Sequence, residues 1–94
     1  MSTLDTVAEK IIKEQELVIG PLAWSEAQKV VGLQVNMQQG VVTIHHDDPK
    51  ATIDRLVAQY ERLFGRASHE VCKEAAATII AGLPKTEIPL SLVS

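Results

Sequence analysis

Leu33-Gln34-Val35-Asn36-Met37-Gln38-Gln39-Gly40-Val41-Val42-Thr43-Ile44 is the stretch that decides the fold. Leu33, Val35 and Met37 alternate with Gln34, Asn36 and Gln38, the period of two of a half-buried strand. Gln39-Gly40 supplies turn chemistry, because glycine adopts positive φ without a steric penalty. Val41-Val42-Thr43-Ile44 is β-branched throughout and reads as a second strand. The pattern predicts one β-hairpin from about residue 33 to 45. Two strands alone are barely stable in water, so this hairpin needs helices on one face or a partner's strand on an edge.

On both sides of the hairpin the apolar period changes to that of a helix. Upstream, Leu4, Val7, Ala8, Ile11, Ile12, Val18 and Ile19 share one face, predicting a helix over about residues 3–19. Ser2 or Thr3 can cap it, and Gly20-Pro21 ends it. A second helix of roughly ten residues starts at Pro21, carries Leu22, Ala23, Trp24, Ala27, Val30 and Val31, and stops at Gly32.

Downstream, Asp48-Pro49 matches an N-cap followed by proline in the first turn. Ile53, Leu56, Val57, Tyr60, Leu63 and Phe64 then form a stripe that Gly65 stops. In a fourth helix Ser68 is the expected cap, and Val71, Cys72, Ala75, Ala76, Ile79 and Ile80 form the apolar face. With Trp24, Val35 and Ile44, these faces make one core.

The predicted fold is therefore an α+β domain in the order α-α-β-β-α-α. The hairpin is expected to pack against helices one and three. Residues 1–83 form the compact unit. Residues 84–94 are left as an extended C-terminal arm: Pro84 and Pro89 exclude a helix, while Ile88, Leu90 and Leu92 alternate. Such an arm suits a hairpin edge or a groove, its own or a second subunit's.

Composition narrows the function. The chain has 94 residues, 46% hydrophobic and 22% charged, with a net charge of −3. It is too apolar for general disorder and too acidic to advertise nucleic-acid binding or a membrane surface by charge. No apolar run approaches the about 18 residues that a membrane span needs. One cysteine cannot form an internal disulfide and fits a reducing compartment, so a cytoplasmic setting is expected. No phosphate loop, nucleophile elbow or zinc-protease helix is present, and only three aromatic residues are available to line a ligand pocket. No catalytic residue and no cofactor are assigned.

The expected function is a small protein-interaction or regulatory module without catalysis. It self-associates as a homodimer, or meets another protein, through the hairpin edge and the arm. Met37, Val41, Ile88, Leu90 and Leu92 are its interaction residues. A different reading is a metal- or thiol-based sensor built from His45, His46, His69 and Cys72, whose N and S donors suit tetrahedral zinc. Against it, Cys72 lies in an apolar stripe, and adjacent His45 and His46 point to opposite faces of a strand. A third reading takes helices three and four as a helix-turn-helix presenting Arg66, His69 and Lys73 to DNA, although Glu70 and Glu74 interleave with them and repel phosphate.

Overall fold

The computed structural model describes residues 3–45 and 48–93; Met1, Ser2, His46, Asp47 and Ser94 lie outside the described residues, and with them the proposed Ser2 cap. Helix α1 spans Thr3–Ile19, as the apolar period predicts. Its buried arc runs through Val7, Ala8, Ile11, Ile12 and Gln15. At about 100° per residue Gln15 lies at the centre of that arc, and Val18 falls within it, between Val7 and Ile11. Val18 is nonetheless 63% exposed, because it sits in the last turn, past Gln15, the last buried residue of the helix.

Helix α2, Leu22–Ala27, is shorter than expected. After Ala27 the chain tightens into three-residue turns, Lys29 N–H to Glu26 O, Val30 N–H to Ala27 O and Leu33 N–H to Val30 O. The helical period is lost there. Val30 turns inward and Val31 stays 67% exposed, so the two do not share a face. Gly32 takes a φ of 92° at the end of this connection, a value that favours glycine.

Strands β1, Leu33–Asn36, and β2, Val41–Ile44, form the predicted antiparallel hairpin. Leu33 faces Ile44 and Val35 faces Val42. Val42 is fully buried, and Leu33, Val35 and Ile44 pack on the core. The hairpin rests mainly on α1, through β2, and on α2, through β1. The expectation of helix three as its second support is thus corrected: the connection after α2 is short, and it delivers β1 beside α2.

Helix α3, Pro49–Phe64, begins as the sequence reads. The Asp48 carboxylate accepts the Ala51 N–H at 3.1 Å, and Pro49 occupies the first turn. Ile53, Leu56, Val57 and Tyr60 are buried, while Leu63 in the last turn is exposed and half-buried Phe64 takes the inward position. Tyr60 O–H donates to Ala23 O at 2.6 Å and ties α3 to α2. Burial raises the Tyr60 phenol above its ordinary value.

Helix α4, Arg66–Ile80, starts two residues before its expected cap. Only Gly65, at a φ of 87°, separates it from α3. That turn needs left-handed backbone, not space: a Cβ at Gly65 would meet nothing within 4 Å. Ser68 is therefore a buried first-turn residue and not the cap. Val71 is only half-buried, whereas Cys72, Ala75 and Ala76 are buried.

Helix α1 packs along α4, and the Gln15 amide crosses between them. Its Nε2 donates to Ser68 O at 2.9 Å and lies 3.3 Å from Cys72 Sγ. Its Oε1 is buried with no hydrogen-bond partner among the described residues. The observed order is the predicted one, four helices around a two-stranded hairpin in an α+β domain.

Candidate interaction surfaces

The two edges of the hairpin are not equivalent. The His45 N–H to Gly32 O bond, together with the register, sets which residues bond across the ladder. Gln34–Thr43 and Asn36–Val41 are the bonded pairs. The backbone groups of Leu33, Val35, Val42 and Ile44 therefore point away from the ladder. On the β2 side, the Asp5 carboxylate of α1 accepts the Ile44 N–H at 3.0 Å. On the β1 side, Leu33 N–H is used by the Val30 turn, and Val35 directs its N–H and C=O outward with no second strand beside it among the described residues. A strand edge of this kind is a template for pairing. Met37, in the turn, and Val41, on β2 opposite Asn36, are both exposed.

The C-terminal segment differs from the extended arm expected. It forms two 3-10 turns, Lys85–Glu87 and Leu90–Leu92, the second packed on α3 and α4. Ser91 is its anchor. The Ser91 N–H and O–H both donate to Asp54 Oδ1, at 3.0 and 2.5 Å. Ser91 O lies 2.6 Å from His69 Nε2. Pro89 and Leu92 are buried on either side, and Lys50 Nζ donates to Thr86 O at 2.6 Å. Ile88 is half-buried and packs on the core; Leu90 is 75% exposed. Leu92 is thus part of this chain's own core and not a free contact. Pro84 and Pro89 explain the break in strand pairing, and Asp54 and His69 explain where the segment goes.

The residues of the sensor reading do not converge. His45 is exposed and bonds Gln34 across the hairpin, and His46 lies outside the described residues. His69 turns to Ser91 O and, with Nδ1, to Glu61 Oε1 at 3.3 Å. Cys72, three residues on, turns to Gln15. Among the described residues no three His, Cys, Asp or Glu side chains are grouped to hold a metal ion. Burial pushes the Cys72 thiol up to about 11, the opposite of what an activated thiolate needs.

The helix-turn-helix reading is also weakened by geometry. A single residue joins α3 and α4, where that motif uses a turn of about three or four. His69 is buried, and Lys73 is paired with Glu70 at 3.8 Å.

Comparison with protein-family models found no match, and comparisons with curated proteins and with solved structures found no significant one. No helix among the described residues is long and apolar enough to cross a membrane. Asp5 and Asp54, which decide the edge and the segment, carry no signal in the sequence. Each is an acid on a helix, and its partner lies 39 or 37 residues away.

Proposed function

We propose that this chain is a non-catalytic protein-interaction module that takes a partner strand on the open edge of β1, with a second copy as the first partner. The supporting observation is the outward backbone of Val35 on a two-stranded sheet whose other edge is already engaged by Asp5. Two β1 edges meeting antiparallel would make a four-stranded sheet about a two-fold axis. Met37, in the turn at the end of β1, would lie near the joint, and Val41 on the strand behind it. A reducing, cytoplasmic setting belongs to the same proposal, since the single thiol needs no partner there.

The test uses a proline. Val35 N–H points away from the ladder, so Val35→Pro keeps the β1–β2 bonds and removes the outward donor. Light scattering across a concentration series should show dimer for the native chain and monomer for the variant. A native chain that stays monomeric at every concentration, or a variant that dimerises equally well, overturns the reading. Gln34→Lys with Asn36→Lys, a charge block on the same edge, keeps the test valid if the proline variant does not fold.

A further inference from the structure

Lys29, Arg55 and Arg62 line one cleft of about 360 Å3 between the α2–β1 connection and α3. Val30, Val31 and Ala58 form its apolar part. Arg55, Ala58, Gln59 and Arg62 follow helical spacing on the face of α3 that turns from the core. The arginines are held in place. Arg55 Nε donates to Val31 O at 3.3 Å and Nη2 to Thr52 Oγ1 at 3.2 Å. Arg62 Nη2 donates to Gln59 Oε1 at 2.7 Å. Gln59 Nε2 in turn donates to Glu26 Oε1 at 2.7 Å, and Lys29 Nζ to Glu26 Oε2 at 3.0 Å. The Lys29 and Gln59 hydrogen bonds hold the Glu26 carboxyl below the usual carboxylate range.

Glu26 is thus engaged by Lys29 and Gln59, and Arg62 acts on it by charge at longer range. Among the described residues no carboxylate lies within 4 Å of Arg55 or Arg62. The chain carries twelve Asp and Glu against nine Lys and Arg. In so acidic a chain, a cleft in which Lys29, Arg55 and Arg62 face one carboxylate, Glu26, carries positive charge awaiting its complement.

We propose that this cleft binds an acidic, apolar segment of another protein, whose carboxylates meet Arg55 and Arg62 and whose leucine- or valine-like side chain lies on Val31 and Ala58. Guanidinium and carboxylate match as a two-bond fork, and neutral hydrogen bonds already limit the freedom of both arginines. The cleft opens on an exposed valine, which suits a side chain laid across it better than a small molecule enclosed within it. The cleft and the β1 edge use different residues, so the failure of one leaves the other standing.

The test is an NMR titration of the full chain with a synthetic helical peptide that carries glutamates and leucines on one face. A lysine-for-glutamate version and inorganic phosphate are the other probes. The acidic peptide should shift the Arg55 and Arg62 side-chain N–H signals and the Val31 methyls. Arg55→Glu with Arg62→Glu should weaken it by at least about tenfold, and added salt should weaken it further. Arg55→Gln with Arg62→Gln serves if the double reversal unfolds. The proposal is overturned if no shift appears, if the lysine peptide or phosphate acts equally well, or if the charge variants bind unchanged. It is also overturned if these signals shift with protein concentration alone, which would make a second copy the occupant.

Discussion

The hairpin and the C-terminal segment begin as the same problem and end differently. Each is short, apolar on alternate residues and unable to hold its shape alone. The segment finds its partners within the chain: Asp54 and His69 take the polar groups of Ser91, and Pro89 and Leu92 are buried beside them. The hairpin finds only half. Asp5 closes the β2 edge, and β1 is left open at Val35. Apolar content does not separate the two regions. What separates them is whether a helix presents a carboxylate where a backbone N–H emerges, since a buried donor left unpaired costs about 1–3 kcal/mol.

The hardest way to break this contrast is to empty the groove under the segment. Leu92→Ala should lower stability by about 2–4 kcal/mol, read by denaturant unfolding, because the side chain is core. A peripheral contact would lose under about 0.5 kcal/mol, and that result would return the segment to the status of a loose arm. Asp54→Ala removes one acceptor from two donors and should cost about 1–2 kcal/mol. Its more specific sign is fast exchange of the Ser91 N–H while the α1 amides stay protected. If Ser91 N–H remains slow, Asp54 is not the anchor.

Both regions stand on the α1–α4 interior, and changes there should weaken them together. Cys72 is raised to about 11 by burial, and Tyr60 is raised too. Both groups ionise more readily in the unfolded chain than in the folded one. Stability from Cys72 is therefore intact below its ordinary value of 9.0 and is lost as pH rises toward about 11. Unfolding at stepped pH should show a fall of up to about 1.4 kcal/mol per pH unit from this group across that window. Cys72→Ala should flatten the curve there; an identical slope in the variant would remove the thiol from the account. The smallest effect is expected at Gln15. Replacing it with Met deletes the unpaired Oε1 as well as the bond to Ser68 O, so stability should change by less than about 1 kcal/mol. A loss above about 2 kcal/mol would show that the amide holds α1 on α4.

Much of the fold is legible in the sequence because it is local. The hairpin period, the Asp48-Pro49 start of α3 and the limits of α1 each depend on residues within a few positions. Reading fails where packing between distant elements decides. Val18 obeys the helical spacing and is exposed, because it lies in the last turn of α1, past Gln15, the last buried residue of that helix. Ser68 is a good cap by type, but Gly65 turns the chain early enough to start α4 before it. The candidate surfaces are legible by half. Met37 and Val41 are exposed on the hairpin that the alternating pattern revealed. Leu92 alternates in the same way, yet Asp54, which carries no signal in the sequence, and His69, which the sequence offers as a metal ligand or DNA contact, hold Ser91 and so draw Leu92 into the core.

Amide hydrogen exchange of the native chain, followed at Val35 and Ser91 over a range of protein concentrations, tests the contrast most directly. The Ser91 N–H should exchange slowly at every concentration, since its acceptor is in the same chain. The Val35 N–H should exchange fast in dilute solution and slow as concentration rises, when a second β1 covers it. Fast exchange at Ser91, or exchange at Val35 that does not depend on concentration, would contradict a molecule closed at its C-terminal segment and open at its hairpin.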